Sequence, residues 1–239
     1  MRLVSVLMLA VLGGVAHGAG PLKLKYHDQL DTEFNKCKRI LPAELAKSCV
    51  ADLTRLEKER EPSTADLLKL GAKLTALKMI HFRKFQWKDS LRQRDWIHRQ
   101  LKTRLGNCLE TAIVDYYVTD FYDVVEPKEI DEKMITVSPL TAMFAFKCWS
   151  MRVKTESDLA KMKSYWAVVQ KIGVHKRFLF GLEGSLYFNT FQVNKDFGAL
   201  RKATDLYKAG AKLDPNPKVL ESTIKWCKPW DDWLAKEGK

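Results

Sequence analysis

Residues 81–104, HFRKFQWKDSLRQRDWIHRQLKTR, carry eight Lys or Arg against two Asp, with Trp87 and Trp96 set among the charges. Cations at this density favour phosphate or sulfate polymers or an anionic membrane surface, through counterion release and field focusing. The candidate set for such an anionic partner is His81, Arg83, Lys84, Trp87, Lys88, Arg92, Arg94, Arg99 and Lys102. Residues 68–104 hold eleven Lys or Arg and two Asp, a net of +9 out of the +11 left when residues 1–18 are set aside (40 basic minus 29 acidic). The charge is therefore localised. A structural use of the same charge competes with the binding one. Residues 110–132 contain eight acidic residues and one Lys, and a tight turn at Gly106 would lay that acidic helix back along the basic one. Exposed pairs of this kind contribute only ~0–1 kcal/mol each.

Catalytic chemistry finds little to stand on. His27, His81, His98 and His175 are far apart, with no HExxH pattern and no Asp or Glu at metal-ligand spacing. Gly-rich phosphate loops and nucleophile elbows are missing. Asp231 and Asp232 offer carboxylates, but general acid–base work needs a specific pair in a cleft. We expect no enzyme activity, cofactor or metal. The segment WCKPWDDW brings Trp226, Trp230 and Trp233 together. Aromatics at this density either pack a core or line a cavity for a small apolar ligand.

The elements that must position these residues read as helix after helix. Pro42 suits the first position of a helix, where its missing N–H costs nothing. A hairpin turning near Leu41 would bring Cys37 and Cys49 to similar heights, so a Cys37–Cys49 disulfide is expected. Leu67, Leu70, Leu74 and Leu77 line one face of a long helix starting at Ser63-Thr64. That stripe slips past Ile80, and Ser90 with Gln93 forms a capping-box pattern that restarts it after a break near residues 87–90. The restarted helix sets Leu91, His98, Leu101, Leu105 and Cys108 on one side. In LGNCLE, Gly106 supplies a helix stop, Asn107 an N-cap and Glu110 the following carboxylate. An acidic helix over about residues 108–125 follows, then a loop to Pro139. Ser138-Pro139 starts the apolar helix LTAMFAFKCWSM, and Thr155 begins another that ends before Gly173. Residues 175–193 form a helix or, as the alternative, two short strands. Two more helices follow, joined by residues 214–217.

The N-terminus has one Arg, an apolar run over residues 3–15, and Ala16 and Gly18 at the spacing that signal peptidase prefers, so residues 1–18 read as a secretory signal peptide. That run is too short for a membrane span. Export through an oxidising route favours disulfides among Cys37, Cys49, Cys108, Cys148 and Cys227.

Two resemblances follow. ALRKATDLYKAGAKLDPNP, with Ala203, Tyr207, Ala209 and Asp214-Pro215, resembles the second helix of a tetratricopeptide repeat, and FGLEGSLYF, with Gly184 and Tyr187, is faintly similar to a first one. No second copy lies upstream, and the connection is longer than that family allows, so a repeat array is not expected. The order Cys37, Cys49, Cys108, Cys148, with CLETAIVDYY and VSPLTAMFAFKC, is similar to the secreted plant inhibitors of invertase and pectin methylesterase. That resemblance implies a helical bundle behind a short hairpin, with cysteines paired first to second and third to fourth, and Cys227 left unpaired or joining two chains. The chain departs from the pattern by running 91 residues beyond Cys148 (239 minus 148).

The sequence therefore predicts an all-α bundle of eight to ten helices built from antiparallel hairpins and stabilised by disulfides. Residues 19–239 form its single domain, with a possible subdivision near residue 154. The expected function is non-enzymatic binding outside the cell, of an anionic or protein partner through the basic helix surface. A carrier of a small apolar ligand between aromatic helices is the alternative, and an inhibitor of another secreted protein is a third.

Overall fold

Prolines and short polar side chains set where the helices begin. The computed structural model describes residues 22, 25–83, 85–119 and 138–237. α1 (His27–Cys37) turns into α2 (Pro42–Leu56), with Pro42 in its first turn. Ser63 caps α3 (Thr64–Met79) by accepting the Asp66 N–H, and α4 (Ser90–Leu105) follows a non-helical stretch. α5 (Leu109–Val114) widens into a π-type turn over Asp115–Thr119. Ser138 accepts the Thr141 N–H to start α6 (Pro139–Ser150), and Thr155 with Asp158 forms a capping box for α7 (Glu156–Val169). α8 (Lys176–Asn194) is followed by α9 (Phe197–Lys212), capped by Asp196, and α10 (Pro217–Lys236), capped by Asn216. The described residues are thus all-α, with ten helices and no strand. None of these helices is long and apolar enough to cross a membrane.

α3 is the centre. Leu67, Leu68, Leu70, Leu74, Leu77 and Met79 are all buried, because α1, α2, α4 and the π-type turn pack around it. Even Lys73 is buried there, its ammonium donating to Asp52 Oδ2 at 2.6 Å and Ser48 Oγ at 2.7 Å on α2. The main core runs from Leu22 to Leu186 and includes residues on both sides of residue 154. A smaller apolar cluster joins α8, α9 and α10 through Phe191, Leu200 and Leu234, against which Trp230 and Trp233 pack. Trp230 and Trp233 of WCKPWDDW therefore fill space between helices, while Trp226 keeps half its surface exposed at 49 %.

Several expectations need correction. The disulfides are not there: Cys37, Cys49, Cys108, Cys148 and Cys227 are all buried thiols. Burial pushes Cys37 up to about 11 and Cys49 up to about 12, so both sit in the core as protonated thiols at neutral pH. Cys108 is also raised by burial, with its sulfur 3.4 Å from Thr111 Oγ1. Cys227 is fully enclosed, its thiol directed at the Thr204 carbonyl. The break between α3 and α4 spans residues 80–89, wider than the spacing predicted. Gln93 does fold back, but onto the N–H groups of Lys88 and Asp89, so the helix is entered one residue earlier than a Ser90 cap requires. Leu91 is 68 % exposed, and the buried stripe of α4 is Ile97, Leu101 and Leu105. Cys108, not Asn107, precedes α5. Glu110 serves another helix: its Oε1 accepts the N–H groups of Lys25 (2.9 Å) and Tyr26 (2.8 Å) at the start of α1. Residues 175–193 are helical, extending α8 to within two residues of α9. The signal-peptide segment and the acidic run over 120–132 lie outside the described residues.

Candidate functional site

The basic stretch divides between the break and α4. Arg83, Lys88, Arg92 and Arg99 are exposed, whereas His81, Trp87, Arg94 and Lys102 are half-buried, and Lys84 lies outside the described residues. Much of the charge is met. Arg92 reaches Asp89 at 3.0 Å and Glu57 at 3.7 Å, and Arg104 lies 3.6 Å from Glu61. Among the described residues the stretch is tied to the acidic helix at Asp115, whose Oδ2 is 3.1 Å from His98 Nδ1 and whose carboxylate is also attracted by Lys102. Asp115 is buried, and burial raises its carboxyl above the ordinary range although His98 draws it down. Trp87 stacks edge-on with Phe85 at 4.7 Å, and both pack on the core. The partners Glu57 and Glu61 come from the C-cap of α2 and the connection that follows it, which no charge count along the chain could have singled out.

A second place is built from residues that no local motif connects. A cleft of about 500 Å³ opens between the end of α3, the break, the π-type turn, α6, α8 and α9. That volume falls in the ~300–1,000 Å³ range of small-ligand sites. Its wall is aromatic. Tyr116 meets Tyr117 edge-on at 4.9 Å and Phe144 at 5.7 Å, and Tyr117 lies 6.2 Å from Phe178. Phe82, held at a positive φ of 49° in the break, stacks on His175 at 5.4 Å. The π-type turn matters here, because an extra residue in the turn changes the direction in which Tyr116 and Tyr117 leave the helix.

The polar side chains that the described residues bring to the cleft are three cations and four hydroxyls of differing status. Lys78, Lys147 and Arg177 line it, and no Asp or Glu does among the described residues. Arg177 sits over the Phe82 ring at 5.7 Å and 3.8 Å from Asp214. Lys147, on the otherwise uncharged α6, has no carboxylate partner among the described residues, and burial lowers its ammonium below the ordinary lysine value. Tyr207 donates to Ser185 Oγ at 3.2 Å. Tyr117 is 2 % exposed, and its hydroxyl has no hydrogen-bond partner among the described residues.

Two glycines shape α8 at this wall. A Cβ on Gly184 would fall 2.8 Å from the Tyr207 ring, so the glycine lets α9 approach. A Cβ on Gly181 would meet only the end of the Arg177 side chain at 3.8 Å, so its missing side chain is open space in the cleft. Sequence reasoning missed this site because its residues are scattered from 78 to 207. One signal was available: Lys147 is the only charge in PLTAMFAFKCWS.

No known protein family, characterised protein or solved structure matches the chain.

Proposed function

We propose that the chain is a secreted, non-enzymatic helical binding protein that carries a small ligand in the cleft between α3, α6, α8 and α9. The observation that carries this reading is the Tyr117 hydroxyl, buried and unbonded on the wall of an aromatic cleft of ligand size. A buried donor without a partner costs ~1–3 kcal/mol, and a bound molecule would relieve that cost. Native mass spectrometry of protein purified without denaturation tests it. An adduct that disappears on delipidation, together with saturable uptake of a fluorescent apolar probe by the stripped protein, is the expected result. No adduct and no uptake at micromolar concentration would sink it.

A second reading keeps the basic surface. It is favoured by Arg83, Lys88 and Arg99, which are exposed and have no carboxylate within ion-pair distance among the described residues. These three would hold an anionic partner on the outside of the molecule.

A further inference from the structure

We propose that the cleft's ligand is an amphipathic acid: an aromatic or aliphatic body bearing one anionic head group, which is held by the Lys147 ammonium and the Tyr117 hydroxyl. This rests on the reading of the cleft as a ligand site. The sign of the head group follows from the lining, whose described residues include three cations and no carboxylate. Its position follows from elimination. Arg177 is engaged by Asp214 and the Phe82 ring, Lys78 makes other interactions, and the Ser185 and Tyr207 hydroxyls bond to one another. Among the described residues the Tyr117 hydroxyl and the Arg177 Nε lack hydrogen-bond partners, but the Arg177 charge is met by Asp214, which leaves Lys147 as the cation without a carboxylate and Tyr117 as the neutral donor beside it in the lining. An ammonium and a hydroxyl both donate, and a carboxylate only accepts, so the three are complementary.

The single head group has a matching reason. Outside these two residues the cleft presents Phe82, Tyr116, Phe178 and Leu182 and the space above Gly181, beside Lys78, Arg177, Ser185 and Tyr207, whose polar groups make contacts within the protein. The apolar part of this wall suits a carbon body. A single head group is therefore the best match to the one cation left without a carboxylate.

The test compares acids with alcohols of the same shape on the delipidated full chain. Oleate is set against oleyl alcohol, and 1-naphthaleneacetate against 2-(1-naphthyl)ethanol, each displacing a bound dansyl-undecanoate probe. At least one acid should bind tenfold or more tightly than its alcohol, and the tighter acid identifies the body as aliphatic or aromatic. That preference should collapse in Lys147→Met and shrink several-fold in Tyr117→Phe, both checked for native helicity. Gly181→Leu should abolish displacement by every compound. Equal affinity for acid and alcohol, or an undiminished preference in both Lys147→Met and Tyr117→Phe, would overturn the acid assignment while leaving a carrier of neutral ligands standing. No binding of any compound would overturn the carrier reading, and this proposal with it.

Discussion

Lys147 is held where a lysine is expensive. Its helix is otherwise uncharged, and all seven residues of Leu140–Phe146 are fully or almost fully buried. Burial depresses the ammonium below 10.5, so the folded state disfavours the protonated form that the unfolded chain keeps. Stability contributed by the neutral form is therefore absent at low pH and gained as pH rises through the window below 10.5. Lys147→Met should raise thermal stability at neutral pH by the equivalent of about 1 kcal/mol. It should also flatten the rise in stability on the alkaline side, which melting curves between pH 7 and 10 would show. A variant that is less stable than the parent at pH 7 would mean that the ammonium is satisfied in the unliganded protein. The residue was visible in the sequence as a lone charge in an apolar run. Its significance was not, because Tyr117, the residue that shares its predicament, lies thirty positions away and across an intervening segment.

At the level of elements, α8 shows how little of a site is written locally. Gly181 and Gly184 stand three residues apart on one helix, and nothing in FGLEGSLYF distinguishes them. Gly184→Ala drives a methyl to 2.8 Å from the Tyr207 ring, so it should cost about 1–3 kcal/mol through overpacking. Gly181→Ala meets open space and gains about 1 kcal/mol of helix propensity. Thermal melts of the two variants should move in opposite directions, and shifts of the same sign would contradict the packing described. What the sequence did show at this scale were features with short reach: Pro42, Ser63, Ser138 and the Thr155–Asp158 box all start helices as their types dictate. Features with long reach were misassigned. Glu110 looked like the cap of its own helix and instead holds the N–H groups preceding α1, eighty-four and eighty-five residues away. Leu91 looked like the start of an apolar stripe; the stripe does run through Leu101, Leu105 and Cys108, but Leu91 is exposed and Ile97 takes the buried place at its head.

Across the whole molecule, the +12 formal charge is less of a free field than its clustering suggests, since Glu57, Glu61, Asp89 and Asp115 lie among the cations of α4. The outward surplus described here is carried by Arg83, Lys88 and Arg99. Reversing these three to Glu should move elution from a heparin column to lower salt, and the parent's own retention should fall steeply with salt. Elution at the parent's position would show that the basic face binds no polyanion. The all-α class was legible because helical periodicity and caps repeat along the whole chain. The pairing of cysteines was not, because their spacing is equally compatible with thiols packed as small apolar side chains. That packing has a consequence for where the protein can work. Its five sulfurs sit in four helices and at the head of a fifth, each behaving as a small piece of core, so no covalent strap sets the shape. The same fold should hold in glutathione and in air, and melting curves taken with and without a reductant should coincide.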